Sequence, residues 1–219
     1  MEFTETHARG LANTLRELGG NLVISSPTKW IYLSTTGVFG SVEPDAWIDE
    51  QSPVSPTRPG ALAAWGGEQW ISQNVSFHNA VRVRPAGIYG PKRVPRWQSI
   101  RDSIPLEVQP DSFLNLIHVD DLACMIFELS NRPTKHGLYC IADLEPVQRR
   151  NYFEFISQIA SLPAPIYASV LVQKSSRENS RREGSKRIRS DRIVQELNYD
   201  FRFPTYREGL TEVLREAIR

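Results

Sequence analysis

The sequence predicts an α/β fold with a mainly parallel sheet and flanking helices, on three observations. Short β-like runs at 30–33, 80–85 and 137–142 alternate with segments whose apolar residues recur at three- and four-residue steps. The runs end at serine, proline or aspartate, which are strand-stopping residues. A chain of 219 residues with 40% hydrophobic and 23% charged side chains has enough apolar material for one domain with a real core. Strands that alternate with helices make a parallel sheet the economical arrangement.

Taken in order, residues 4–18 put Ala8, Leu11, Ala12, Leu15 and Leu18 on one helical face, and Gly19-Gly20 stops the helix. WIYL (30–33) reads as a strand that opens into STTGVFG (34–40), with three hydroxyl side chains at the strand end. Residues 41–59 hold Pro44, Pro53, Pro56 and Pro59 and read as an irregular loop. Residues 62–71 read as a helix despite Gly66 and Gly67, which cost about 1 kcal/mol each against alanine. AVRVRP (80–85) alternates and stops at proline, with a loop at 86–91 behind it.

Residues 113–117 are apolar, and Asp120 and Asp121 then open a helix carrying Leu122, Met125, Ile126 and Leu129 on one face, the acids at the positive end of its dipole. GLYCIA (137–142) is a third strand. Asn151 with Glu154 has capping-box spacing ahead of Phe155, Ile156 and Ile159; Thr205 with Glu208 repeats it ahead of Leu210, Val213 and Leu214. Residues 174–192 carry eight basic side chains against three acidic ones. Without interleaved aromatics this stretch reads as a solvated, mobile loop in preference to a nucleic-acid site.

A net charge of +1 gives no bulk electrostatic case for nucleic acid or membrane. No apolar run approaches the roughly 20 residues of a spanning helix, and MEFTETHARG is unlike a signal peptide. The expectation is a cytoplasmic protein, with Cys124 and Cys140 as reduced core residues. His118 with Asp120 and Asp121 either holds a metal or caps a helix with a packed imidazole; capping outweighs, and no metal is expected. The tryptophans read as packing residues.

Ligands of parallel α/β sheets sit beyond the carboxyl ends of the strands, which singles out the loops at 34–37 and 86–91. The hydroxyls of Ser34, Thr35 and Thr36 either meet a ligand there or satisfy backbone groups at a turn. Arg82, Arg84, Lys92, Arg93 and Arg96 surround the second loop and either receive a diphosphate or are solvated.

YLSTTGVFG, RVRPAGIYGPKR and NLIHVDDLACMI, in this order and spacing, resemble the extended short-chain dehydrogenase/reductases, the NAD(P)-dependent epimerases and dehydratases of sugar nucleotides. The tail, ADLEPVQRRNYFEFISQIASLPAP followed by SKRIRSDRIVQELNYDFRFPTYREGL, is similar to their atypical YeeZ-like subgroup. The resemblance implies a partial Rossmann-like sheet in a single domain, 1–219, with 95–112 and 145–205 forming a small C-terminal α/β lobe on the substrate side. It also implies NAD or NADP as cofactor and a nucleotide sugar as substrate. By the same resemblance Thr35 is the catalytic hydroxyl; Thr35, Thr36, Pro85, Ala86, Gly87 and Ile88 line the nicotinamide; and Arg93 and His118 face the substrate.

Two departures from the family pattern matter. Its hydride chemistry uses a tyrosine and, one helical turn on, a lysine that lowers the phenol's pKa. Aligned by Glu68, those positions hold Gly60 and Ala64, and no other Tyr-x-x-x-Lys occurs in the chain. The family also opens on a strand and a Gly-x-x-Gly-x-x-Gly turn for the pyrophosphate, whereas Gly37 to Gly40 and Gly87 to Gly90 offer one interval each. Roughly the first 80 to 90 residues of the family fold are therefore expected to be missing. The expectation is an epimerase/dehydratase-like protein with impaired catalysis and no strong NAD(P) binding by this chain alone. The alternative is a ligand-sensing or interaction module. An unpaired sheet edge at 30–33, with bare apolar faces along Leu11, Leu15 and Leu18, would favour self-association.

Overall fold

The computed structural model describes residues 29–75, 80–168 and 185–218. The helix expected at 4–18 and most of the basic stretch lie outside these. In chain order the first half contains β1 (Trp30–Leu33), a 3-10 turn (Thr36–Phe39), β2 (Ala46–Ile48), α1 (Pro59–Asn74), β3 (Ala80–Pro85), β4 (Gly87–Tyr89) and α2 (Trp97–Arg101). The second half contains β5 (Phe113–Leu114), β6 (Leu116–His118), α3 (Val119–Asn131), β7 (Leu138–Ile141), β8 (Val147–Gln148), α4 (Arg149–Ile159), β9 (Lys186–Ile188), α5 (Asp191–Leu197) and α6 (Tyr206–Ile218).

The centre is a parallel sheet in the order β1-β3-β7, with Trp30 opposite Ala80 and Arg82 opposite Leu138. β3 is central and buried on both faces, as its near-continuous burial shows. One face packs Val81, Val83 and Ile141 against Leu122, Met125 and Leu129 of α3 and Ile193 of α5. The other packs Ala86, Cys140 and Ala142 against Val38, Phe39 and Ile48. A separate aromatic core, built on Tyr89, Tyr152, Phe153 and Tyr206, joins α4 and α6 to the β4–β6 pair. The fold is thus α/β, Rossmann-like and mainly parallel.

α1 spans more than the expected helix, and its glycines explain themselves. A Cβ on Gly67 would lie 2.1 Å from the Tyr32 hydroxyl, so the residue that helix propensity counts against is what lets α1 lie on β1. The expected loop at 41–59 is partly a strand: β2 pairs in parallel with β9, Trp47 opposite Arg187. The same pairing overturns the solvated-loop reading for residues 186–192, which form β9 and enter α5, with Lys186 buried. Each strand is too short to show without its partner, and the partner is far away in sequence. Gly87–Tyr89, read as loop, is likewise a strand, paired with β6.

α4 begins at Arg149, ahead of the expected Asn151 cap. Its first N–H groups are satisfied from outside, Arg149 N donating to Ser112 O (3.0 Å) and Arg150 N to Pro110 O (2.8 Å), so no side-chain cap is needed. The second box forms as expected, with Thr205 N donating to Glu208 Oε2 (3.1 Å) and Arg207 N to Thr205 Oγ1 (3.2 Å). Cys140 is buried, but Cys124 is exposed on α3, off the stripe of Leu122, Met125 and Leu129, which corrects its reading as a core residue.

The two sheet edges differ. The outer edge of β7 is sealed by side chains: Glu50 accepts from Cys140 N (2.7 Å), Ser190 Oγ accepts from Ala142 N (2.6 Å), and Arg192 donates to Leu138 O (3.1 Å). Among the described residues β3 is the only strand beside β1, and Leu33 is 49% exposed.

Candidate functional site

The carboxyl ends of β1, β3 and β7 emerge together. Ser34 N donates to Val83 O (2.7 Å) and Ala86 N to Ile141 O (2.8 Å), carrying the ladders one residue past the strands. This brings Thr35 and Thr36 alongside Pro85 and Ala86, where parallel sheets place ligands.

The three hydroxyls divide into distinct roles. Ser34 Oγ donates to Glu68 Oε1 at 2.5 Å inside the core. Thr36 is buried in the 3-10 turn. Thr35 is half-buried and caps that turn, its Oγ1 accepting from Gly37 N at 3.0 Å, which leaves its own proton to donate. Of the candidates, Thr35 alone combines access with a fixed orientation.

Glu68 and Arg84 form a buried bidentate ion pair beneath this turn, with Arg84 Nε 2.9 Å from Oε1 and Nη2 2.7 Å from Oε2. The guanidinium lies 4.8 Å from the Phe39 ring centre, so the pair ties α1, β3 and the 3-10 turn together. Arg84 is therefore not available to a diphosphate. Neither is Arg82, whose guanidinium bonds Ser72 Oγ (2.6 Å) and Gly137 O (3.1 Å), the latter at the entry to β7. An arginine inside a β-like run was the available signal for a buried pair.

Pro85 and Ala86 are buried, Ile88 is half-buried and Gly87 is exposed. Gly87 passes close to the neighbouring strand, where a Cβ would lie 3.1 Å from Asn115 O. Arg93 is exposed, and its backbone closes the loop against Gly90 (3.0 and 3.1 Å). His118 is only 2% exposed; its Nδ1 accepts from Asp120 N (3.2 Å) as the cap of α3, and its ring sits between Phe203 (4.0 Å) and Tyr89 (5.1 Å). Burial holds its pKa below the ordinary value. Thr35, Thr36, Pro85 and Ala86 thus share the sheet end, while Arg93 and His118 belong to the adjoining β4–β6 layer.

Gly60 and Ala64 lie one turn apart on α1. A Cβ on Gly60 would meet nothing within 4 Å, whereas Ala64 packs on the core under the turn. The first turn of α1 abuts the Thr35 loop, since a Cβ on Gly37 would lie 3.6 Å from Ala61 Cβ.

One carboxyl, Asp143, escaped the sequence reading, and Asp121, read there as a helix opener, has a second role. Asp143, past the end of β7, is buried; its Oδ1 accepts from Glu145 N (3.2 Å), its Oδ2 has no partner among the described residues, and burial raises its pKa well above the carboxylate range. Asp121 is buried and accepts from Arg202 N (2.9 Å), Phe203 N (3.0 Å) and Tyr199 Oη (2.9 Å), pinning the approach to α6. A cleft of about 370 Å³ beside the outer edge of β7, lined by Glu50, Lys135, His136, Arg192 and Glu196 among others, shares no residue with the Thr35 site. Among the described residues no three His, Cys, Asp or Glu side chains gather as a metal ligand set, and no helix is long and apolar enough to cross a membrane.

No family model and no curated protein matches the chain in sequence. Solved structures do match. A conserved protein of unknown function from Silicibacter pomeroyi is 28% identical with a TM-score of 0.74, over 94% of this chain and 71% of its own. A protein from Methylobacillus flagellatus, provisionally assigned as an NAD-dependent epimerase/dehydratase, is 21% identical with a TM-score of 0.75, over 97% and 71%. The dTDP-glucose 4,6-dehydratase of Bacillus anthracis, solved with NAD, is 15% identical with a TM-score of 0.71, over 95% and 65%. The shared fold is Rossmann-like. The chain spans about two thirds to 71% of the length of these proteins.

Proposed function

We propose that this chain is an NAD(P)-binding, nucleotide-sugar epimerase/dehydratase-like protein of the atypical extended short-chain dehydrogenase/reductase type, with weakened catalysis. The observation that carries the reading is that the half-buried Thr35, its hydroxyl proton left to donate, comes beside Pro85 and Ala86 at the carboxyl end of the sheet. In this reading the buried Pro85 and Ala86 and the half-buried Ile88 back the nicotinamide ring, and Thr36 and Gly87 border it. Among the described residues no three-glycine turn is present to receive a pyrophosphate. When bound, NAD(P) supplies a hydride acceptor.

Thr35 holds a substrate oxygen by donating its remaining proton. Gly60 and Ala64 stand where the family's tyrosine and lysine would move a proton, and neither side chain can do so. In this reading the expected substrate-side lobe, 95–112 and 145–205, is built from its described residues, with Arg93 facing the substrate and His118 fixing the layer behind it. The edge of β1 that carries no strand among the described residues is the surface through which copies associate.

Calorimetric titration with NAD and NADP at millimolar concentration tests the reading. Saturable binding of one of them is expected, with turnover of UDP- or dTDP-hexoses on the order of 100-fold or more below an enzyme with an acid/base pair. Absence of binding by both dinucleotides would overturn it.

A further inference from the structure

The cleft beside the outer edge of β7 holds a buried carboxylate whose hydrogen bonding the fold leaves incomplete. Glu196 of α5 lines it with a side chain only 6% exposed. Its Oε1 accepts from Lys135 N at 2.5 Å, and its Oε2 is buried with no hydrogen-bond partner among the described residues. His136 Nε2 stands 4.0 Å from that oxygen, beyond hydrogen-bond reach, on an exposed ring. The Tyr139 phenol lies beside the same carboxylate, its pKa raised by burial first and then by Glu196, and Lys29, which also feels that charge, donates to Arg132 O (2.5 Å). The other buried acid of the cleft is fully engaged: Glu50 accepts from Cys140 N and meets Arg192 Nε at 3.5 Å, while Arg192 donates to Leu138 O. Arg189 faces Asp191 at 4.0 Å and the Trp47 ring at 5.1 Å. The unmet demand of the cleft is therefore for a donor at Glu196, best supplied by a charged one.

We propose that this cleft binds a small organic cation, an ammonium or guanidinium whose N–H groups donate to Glu196 Oε2. The oxygen is covered, so entry requires the exposed His136 ring, 4.0 Å away, to turn aside. An anion is disfavoured by Glu50 and Glu196, two carboxylates with side chains no more than 6% exposed. A bare divalent ion needs several oxygen ligands, and among the described residues no three His, Cys, Asp or Glu side chains gather to supply them. An organic cation brings its own donors and needs only one carboxylate. The volume of about 370 Å³ lies at the small end of ligand pockets, which run from roughly 300 to 1,000 Å³, and suits an amine of the size of agmatine. Lys135 and Arg189, exposed on the same cleft, offer a second contact to a ligand that also bears a carboxylate. The cleft shares no residue with the Thr35 site, so it stands or falls apart from the dinucleotide reading.

Heteronuclear NMR and calorimetry at low ionic strength with agmatine, L-arginine, glutarate and magnesium chloride test the site. In wild-type protein agmatine is expected to bind saturably and to shift the Lys135 amide, which donates to Glu196, without moving the Gly37 amide at the Thr35 turn. Glu196→Gln keeps an acceptor for Lys135 N and removes the charge. It is expected to lose about tenfold in agmatine affinity, the size of one charge-assisted hydrogen bond, whereas the exposed control Asp111→Asn loses none. Thermal melts establish that both variants fold, and if Glu196→Gln does not, the amide shifts of wild type decide alone. L-Arginine bound more tightly than agmatine supports the site and assigns its carboxylate to Lys135 or Arg189; equal or weaker binding supports a site that reads the cation alone. Neither amine shifting the Lys135 amide, unchanged affinity in a folded Glu196→Gln, or glutarate or magnesium shifting that amide in their place overturns the cation site. The proposed function stands in each of these cases, since the dinucleotide titration reads a different part of the molecule.

Discussion

Glu68 and Arg84 bury opposite charges under the Thr35 turn, and the pair is expected to matter most when one half is removed. Glu68→Ala leaves a buried guanidinium without a counter-charge and should cost about 3–5 kcal/mol in urea denaturation. Glu68→Gln, which still accepts from Ser34, should cost less; equal losses would refute the ion-pair account. Asp143 gives a pH signature. Its folded pKa lies above the unfolded value, so the folded state keeps a proton that the unfolded state releases. Its contribution is full below about pH 4 and is lost as the pH rises. Asp143→Asn should therefore raise Tm more at pH 7 than at pH 4, and an equal gain at both would show that the carboxyl is ordinary. Strand ends, legible from where apolar runs stop, pointed to the loops at 34–37 and 86–91, and the family resemblance singled out Thr35, Pro85 and Ala86 near them. They did not reveal Glu68–Arg84 or Asp143, whose burial depends on which helix lies over which strand.

Elements with strong periodicity, such as α3 and β3, and those with side-chain caps, such as α6, were readable because their signals are local. β2, β9 and β4 were not, because a strand of three residues exists only through its partner. Gly40 is one place where the backbone itself dictates the residue. At φ 58°, with a Cβ that would lie 1.7 Å from Ser55 O, Gly40→Ala should lose more than about 1 kcal/mol in thermal melts. A neutral outcome would mean that the 3-10 turn relaxes. On α1, if the proposed function holds, the pair Gly60→Tyr and Ala64→Lys supplies the tyrosine and lysine that reading lacks, with open space at position 60 and Ala64 packed on the core. Turnover of a nucleotide sugar is expected to rise on the order of 100-fold in the double variant, measured by chromatographic separation of the product nucleotide sugar. No rise, with dinucleotide binding intact, would place the defect elsewhere.

Over the whole molecule, one edge of the central sheet is closed by Glu50, Ser190 and Arg192, while the edge at β1 carries no strand among the described residues. Backbone groups along that edge, without a strand partner among the described residues and beside the exposed Leu33, invite pairing with a second copy. Sedimentation is expected to show concentration-dependent association that Leu33→Lys reduces, and a monomer at all concentrations would exclude that edge as an interface. By itself the sequence determined the α/β class, the parallel alternation, the strand-end position of Thr35 and the absence of a Tyr-x-x-x-Lys pair. Those features are written in local periodicity and residue identity. The tertiary structure alone decided which arginines the core consumes, since Arg82, Arg84 and the exposed Arg93 are chemically alike in the sequence. What separates them is burial and the nearest charge, and both are set by contacts between residues distant in the chain.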